Sequence, residues 1–379
     1  MILEEALEIL TSAAHPRGWE YAAVDGSLVG RILAEDVIPG ADIPPAHVCV
    51  KDGYLVRADG GWPGRARVKG ECGPGEFVRA LEPGSAVAAY SGCSVGDDLA
   101  ALVPAEEAEA SQGYVTVPRR PRALENLTPR GSSARAGVAV LPRGHRVTPM
   151  DIEAMEILGR EFIRVHERPR VALLSVGSEI SLEGPVRTTR YVSMDAITRA
   201  LGGESVNRGV VEDSPTAIAG AIGEALRSAD VVVTLGGTGP SARDVTYVAV
   251  ESLGPSRIFR GLDVADAARS GGAIVDGRPL VILPGPRAPA INGAVLLLAP
   301  VILRAAGSPE EPYIAARARL TRPVHMSRRG IIWVRMSGTS AEPIQPDYYG
   351  ISPSMADGYV LGGPGTMSGE VEVRIMKFR

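Results

Sequence analysis

The spacing of apolar and polar positions changes rhythm several times along the chain. In residues 2–14, Ile2, Leu3, Ala6, Leu7 and Leu10 share one helical face, while Glu4, Glu5 and Glu8 lie elsewhere, so a helix is expected. A second short helix is expected over residues 27–34, entered through Asp25-Gly26 and followed by the stiff, extended Asp42-Ile43-Pro44-Pro45. The period then shortens toward two. Apolar runs flank Asp52-Gly53 in residues 48–58 and read as strand, turn, strand. Further short strands are expected at 66–68, 77–81, 86–90, 99–103 and 114–117, a β-rich module set into the chain. Residues 119–135 show little periodicity and read as a return connection. Thr148-Pro149-Met150-Asp151 opens a helix and Gly159 stops it.

From Val171 strands and helices alternate. Strands are expected at 171–176, 205–211, 230–235 and 280–283. Helices are expected at 192–201, from Ser214 or Pro215 to 227, at 242–253 and at 288–306. That alternation predicts a doubly wound α/β domain, with ligands at the carboxyl ends of its strands. After Gly307 the rhythm changes again, and short strands at 315–320, 331–336, 358–361 and 370–376 predict a small all-β module.

The stretch DVVVTLGGTGPSARDV, residues 230–245, carries the most chemistry. A β-branched strand breaks into Gly236, Gly237 and Gly239, and a helix follows. Such a loop presents backbone N–H groups and a helix N-terminus to an anion. Thr238 and Ser241 offer hydroxyls, Arg243 a paired charge, and Asp244 a ligand for a hydrated divalent cation. Gly177-Ser178-Glu179 and Pro284-Gly285 end neighbouring strands and are expected in the same crevice.

Composition narrows the classes. The 379 residues are 45% hydrophobic, with 45 Gly, 30 Pro and only 4% aromatics, which suits two to four domains rich in turns. A net charge of −4 without a long basic run argues against nucleic acid or an anionic membrane as main partner. Cys49, Cys72 and Cys93 are odd in number and lack CxxC spacing, so neither a disulfide framework nor a zinc site is expected. The five histidines are scattered and none is assigned to a metal. The start MILEEALEIL does not read as a signal peptide, and the apolar run 296–303 is too short to span a bilayer, so a cytoplasmic protein is expected.

The order of these pieces resembles the molybdopterin molybdenumtransferases, the MoeA-like family that includes the gephyrin E domain. Asp42-Ile43-Pro44-Pro45 with Asp52-Gly53-Tyr54 is similar to the family's D-x-P-P…D-G-Y stretch. Ser91-Gly92 through Glu106 is similar to its T-G-A…E stretch, with Ser91 in the threonine's place. Gly177-Ser178-Glu179-Ile180 resembles T-G-D-E-L, and Glu212-Asp213 stands where the family has an acidic pair. Gly236 to Asp244 resembles G-G-x-S-x-G-x-x-D, Leu283-Pro284-Gly285 the start of L-P-G-N-P, and residues 353–360 the C-terminal A-D-G stretch.

The resemblance implies a multidomain α/β fold. A linker domain of helical and extended parts comes from 1–47 and 121–168, a β-rich insert from 48–120, a molybdopterin-binding α/β domain from 169–306, and a small C-terminal β-barrel from 307–379. It implies Mg²⁺-dependent insertion of molybdate or tungstate into adenylated molybdopterin with release of AMP. Asp52, Glu179 and Asp244 would be catalytic, with Glu179 and Asp244 also on the Mg²⁺. Ser91, Asp213, Gly236, Gly237, Thr238, Gly239, Ser241, Arg243, Pro284 and Gly285 would bind the pterin phosphate. A homodimer is implied, its active cleft shared between subunits.

Departures keep two alternatives open. Ser178 replaces the aspartate of T-G-D-E, GLDVADAARSG (residues 261–271) replaces M-K-P-G-K-P, and Pro286-Arg287 replaces the end of L-P-G-N-P. A paralogue that binds molybdopterin or a nucleotide without insertion would tolerate these losses. The loop GGTGPSARDVT also resembles that of the molybdopterin adenylyltransferases, which implies adenylyl transfer as the other alternative.

Overall fold

The computed structural model describes residues 1–177, 189–239, 245–347 and 350–378. The chain divides into two compact units. One comprises Met1–Glu35, Arg143–Glu156 and Arg160–Arg379, and the other Asp36–Pro142 with Ile157–Gly159.

The larger unit is built on a sheet whose order, among the described residues, is Glu204–Val211, Arg170–Val176, Val231–Leu235, Arg278–Leu283, Gly271–Val275 and Arg257–Arg260. The first four strands are parallel and the last two antiparallel. The sequence reading missed those two. Gly271 and Gly272 look like chain breakers, yet they sit in a strand because neighbours press on them. A Cβ at Gly271 would meet the Tyr247 hydroxyl at 2.0 Å, and one at Gly272 the Leu280 carbonyl oxygen at 3.1 Å.

Both sheet faces are buried, which explains the near-continuous apolar strands. Val231, Val233 and Leu235 face one core with Leu3, Ala6 and Leu10 of the helix Leu3–Ser12 and with the helix running from Arg287 to Ala305. Val232 faces the other core, with Ile218 and Ile222 of Pro215–Leu226 and Ala249 and Val250 of Val245–Ser252. Each fully buried Leu, Ile or Val contributes roughly 1.5–3 kcal/mol over an exposed one. Residues 296–303 are thus part of a 19-residue helix, long and apolar enough to cross a membrane by length and composition; 72% of its most apolar window is buried inside the protein.

The start of the first helix is capped from far away. Asp263 accepts a hydrogen bond from the Leu3 N–H at 3.0 Å and an ion pair from Arg329, which also binds Glu4. Tyr313–Leu320, Ser340–Pro343, Gly330–Ser337, Gly358–Gly362 and Glu370–Met376 close into a barrel. Trp19–Ala23 and Phe162–His166 pair as an antiparallel ribbon that buries Ile163 and Val165 and exposes Trp19, Tyr21 and Phe162. The helix expected over 27–34 is absent. Only Gly26–Leu28 winds into a 3₁₀ turn, capped by Asp25; Gly30 then takes φ +82°, and Ile32 and Leu33 bridge to Arg146 and Val165. The positive φ ends the helical path, and the apolar pair is buried through bridges instead.

The smaller unit holds two sheets. The larger runs Ala100–Pro104, Gly53–Arg57, Ser85–Ala89, Gly64–Cys72, Tyr114–Val117, Glu109–Ser111, and the smaller Leu127–Thr128, His47–Cys49, Ser94–Val95, Phe77–Val78. The hairpin expected around Asp52-Gly53 is therefore not formed: its two strands belong to different sheets. Gly53 is a strand residue, and a Cβ there would stand 2.1 Å from the Val103 carbonyl oxygen. The cysteine expectation is also overturned. Cys72 and Cys93 form a disulfide, and Cys49 keeps a buried thiol in the same apolar cluster with Leu55, Ala89 and Leu102. An odd count left one pair hidden, because Cys72 ends a strand and Cys93 closes a turn 21 residues later.

Candidate functional site

The carboxyl edge of the parallel sheet brings candidate residues side by side. Ser175 lies opposite Leu235, and Leu235 opposite Leu283. The Gly236 N–H donates to the Leu283 carbonyl at 3.0 Å, and the Gly177 N–H to the Val211 carbonyl at 3.1 Å. Glu212-Asp213, Gly177, Gly236–Gly239 and Pro284-Gly285 therefore leave the sheet along one edge. Glu179, Ser241, Arg243 and Asp244 lie outside the described residues.

The glycines there have distinct reasons. Gly236 (φ +115°) and Gly237 (φ +66°) are forced by their own chain: a Cβ would meet the Val176 carbonyl oxygen at 2.4 Å in the first and Thr246 Oγ1 at 2.2 Å in the second. Thr246 Oγ1 in turn donates to the Gly236 carbonyl at 3.0 Å. The Gly236 N–H is thus already taken within the fold, and so is not the anion donor that the loop pattern suggested. Among the described residues, a Cβ at Gly239 meets nothing within 4 Å. Thr238 is buried, and Asp213 is exposed next to Ser214, the cap of Pro215–Leu226.

In the smaller unit Asp52 and Ser91 meet. The Ser91 N–H donates to Asp52 Oδ1 at 2.9 Å across 39 residues of sequence. The Asp52 carbonyl accepts from the Ala105 N–H at 3.1 Å. Asp52 is therefore no simple turn aspartate: its carboxylate is oriented by a distant backbone and is exposed to solvent. Tyr90 joins it. Its phenol is held above its usual titration range, first by a hydrogen bond to Glu71 and also by the charge of Asp52, so it stays protonated at neutral pH.

A cavity of about 490 Å³ opens within the larger unit, lined by Asp266, Asn292, Arg322, His325, Arg328, Trp333, Asp347 and Ser352 among others. That volume suits a small molecule. Its acids are engaged: Asp266 Oδ2 accepts from the Ile331 N–H at 3.0 Å, and Asp347 from the N–H groups of Ile351 and Ser352. Those bonds, the one from Ile351 foremost, hold the Asp347 carboxyl well below the usual range. The Trp333 indole donates to Asn292 Oδ1 at 3.2 Å, and Asn292 Nδ2 to the Asp266 carbonyl at 3.2 Å. Two arginines and two acids line it, so the charges of the lining roughly balance.

A family model described as "MoeA N-terminal region (domain I and II)" matches residues 1–159, and one described as "Probable molybdopterin binding domain" matches residues 172–304. The chain belongs to the MoeA family. That family works in molybdenum cofactor biosynthesis, and the chain carries its molybdopterin-binding domain. The molybdopterin molybdenumtransferase of Nostoc sp. is 26% identical over 274 residues, 69% of this chain and 61% of that protein. The protein of the same name from Staphylococcus epidermidis is 26% identical over 298 residues, 75% of this chain and 71% of that protein. The crystal structure of the molybdopterin biosynthesis moea protein from Pyrococcus horikosii matches with a TM-score of 0.80 at 26% identity, covering 100% of this chain and 99% of that one.

The MoeA fold expected from the resemblance is present, with the α/β domain, the β-rich insert region and the C-terminal barrel. Tyr90 and the cavity were not foreseen. Tyr90 gave no signal because its partners, Glu71 and Asp52, are distant in sequence. The cavity had a faint one, since Ser352 and Pro353 abut the stretch that resembles the family's C-terminal motif. Among the described residues no group of three or more His, Cys, Asp or Glu side chains could hold a metal ion.

Proposed function

We propose that this chain inserts molybdate or tungstate into adenylated molybdopterin, releasing AMP. The observation that carries the reading is the meeting of Asp52 and Ser91, two positions of the MoeA pattern, through one hydrogen bond of 2.9 Å. Exchanging molybdate oxygens for dithiolene sulfurs releases water and consumes protons. Asp52, exposed and fixed by the Ser91 N–H, is the proposed relay for them. The pterin phosphate is assigned to the sheet edge at Thr238, Gly239, Pro284 and Gly285, with Asp213 beside it and Ser241 and Arg243 completing the loop. Mg²⁺ would neutralise phosphate charge; its proposed ligands, Glu179 and Asp244, lie outside the described residues. The reading includes a cytoplasmic homodimer, with the exposed Trp19, Tyr21 and Phe162 face assigned to the contact.

The second reading is binding without insertion. The stretch GLDVADAARSG (residues 261–271), without the lysines of the M-K-P-G-K-P that the resemblance leads one to expect, favours it. The adenylyltransferase reading rests on a loop half outside the described residues and gains no support.

Reconstitution of an apo-molybdoenzyme tests the first reading. Adenylated molybdopterin, Mg²⁺ and molybdate are supplied with and without the protein, and AMP is followed. Molybdate-dependent AMP release with recovered enzyme activity supports insertion. Tight pterin binding without either signal moves the chain to the second reading. Light scattering at micromolar protein tests the dimer.

A further inference from the structure

The Cys72–Cys93 disulfide lies outside every role assigned above, and its place is specific. Cys93 closes the turn Tyr90–Cys93, its N–H donating to the Tyr90 carbonyl at 2.9 Å. Cys72 ends the strand Gly64–Cys72, and its carbonyl accepts from the Tyr90 N–H at 3.1 Å. Between these ends stands Ser91, whose N–H holds Asp52. Gly92 takes φ +90° within the same turn, and its N–H donates to the Cys49 carbonyl at 2.9 Å. The bond thus ties the turn that aims the Asp52 carboxylate to its neighbouring strand. It also sets Tyr90 against Glu71, the residue preceding Cys72. Cys49 does not compete for either sulfur as a thiolate. Burial pushes its thiol up to about 11, so it stays protonated and weakly nucleophilic at neutral pH.

We propose that the Cys72–Cys93 bond is a redox switch on the Asp52–Ser91 pair: closed, it holds Asp52 in its working orientation, and reduced, it lets the Ser91 turn loosen and turnover fall. The proposal rests on the reading of Asp52 given above. The reductant is a dithiol. One of its thiolates attacks a protein sulfur, the other cysteine leaves as a thiolate and takes a proton, and the second thiol of the reductant resolves the mixed disulfide. Two electrons and two protons pass to the protein, which ends with two thiols, while the reductant ends as a disulfide. Both protein sulfurs are buried, Cys72 at 2% and Cys93 at 0% exposure, so attack waits for local opening of the turn. The switch therefore answers slow, sustained changes in thiol poise.

The test uses the full chain. Thiols are counted after denaturation without reductant: of three cysteines, one should titrate, and all three after dithiothreitol. A count of three before reduction overturns the proposal. Hydrogen exchange of a peptide spanning residues 88–94 and AMP release are then followed in both states, well below the unfolding midpoint. The expected result is at least about tenfold faster exchange and about tenfold slower turnover in the reduced protein, both reversed by oxidised dithiothreitol. Cys49→Ser should behave as the unaltered chain. Unchanged exchange after full reduction, or unchanged turnover in a turnover-competent protein, makes the bond a mere staple and overturns the proposal. A protein silent in both states sinks the insertase reading, while exchange at 88–94 still decides the switch. Because Cys72→Ser with Cys93→Ser can fail to fold, reduction of the unaltered chain is the primary measurement, and the double variant only has to match it.

Discussion

At the edge of the parallel sheet the candidate residues are neighbours because four strands end side by side, whereas Asp52 and Ser91 stand 39 residues apart and meet through one backbone-to-carboxylate hydrogen bond. The first arrangement is over-determined. Gly236 and Gly237 are pressed by Val176 and Thr246, and the edge holds as long as the sheet does. The second depends on one turn in a small unit, and its acid faces water. Placement by a sheet is robust and nearly mute about chemistry. Placement by a single bond is fragile and singles out one carboxylate. The two regions should therefore fail differently when altered, the edge through folding and the insert through turnover.

Asp52→Asn is the sharpest way to break that contrast. The amide can keep the bond from Ser91 but cannot carry a proton as the carboxyl does. AMP release should fall by about 10²–10⁴-fold. Thermal unfolding should hardly move, because the group is exposed. A large loss of stability with normal turnover would make Asp52 structural.

Gly237→Ala and Gly53→Ala bring the converse. The new methyl would stand 2.2 Å from Thr246 Oγ1 in the first and 2.1 Å from the Val103 carbonyl oxygen in the second. Overpacking and, at Gly237, positive φ should cost about 3 kcal/mol each in urea unfolding. Variants as stable as the parent would show that the glycines were kept for a ligand instead.

The alternation of Val171 onward made the α/β domain legible, because a strand buried on both faces must be apolar throughout. The C-terminal β module was legible from its strand rhythm, while its closure into a barrel came from the resemblance and the strand Ser340–Pro343 was missed. What stayed hidden was every feature set by contacts between distant segments. The strand Gly271–Val275 was masked by glycines that only tertiary crowding explains, and Arg257–Arg260 is only four residues long. The Cys72–Cys93 pair and the Asp52–Ser91 bond join residues that no local period relates. The false hairpin at Asp52-Gly53 came from the same gap, since a turn signal does not say which sheet each flank will join. The resemblance supplied Asp52 and Ser91 as positions, and only the fold supplied their contact.

Acid offers a gentler probe of the smaller unit. The hydrogen bond from Arg119, and then that from the Arg122 N–H, lowers the Glu125 carboxyl from 4.5 to about 2. A depressed carboxyl stabilises the folded form above its unfolded value and loses that effect as the pH falls through its folded one. Stability should therefore decline from pH 4.5 toward 2. Glu125→Gln should flatten part of that decline at constant salt. The change should be small because the Arg119 side of the pair is half exposed and solvent screens it. An identical acid profile in the variant would remove Glu125 from the account.

Gly239→Ala should have the smallest effect on the fold, and that makes it the most useful residue at the sheet edge. No atom of the described residues lies within 4 Å of a methyl placed there, and its φ is not among the positive ones. The change should shift stability by no more than about 0.5 kcal/mol, and alanine's lower backbone entropy can even raise it. Pterin-phosphate affinity is then a clean reading of what approaches that open side. If a ligand's phosphate lies against the Gly239 backbone, the methyl intrudes on it and affinity should drop about tenfold or more, while Gly237→Ala loses binding only together with stability. Titration of adenylated molybdopterin at a temperature where both variants are folded separates the two. Unchanged affinity in Gly239→Ala would move the phosphate away from this loop and toward the cavity of Arg322 and Arg328, where Arg322→Ala should then carry the loss instead.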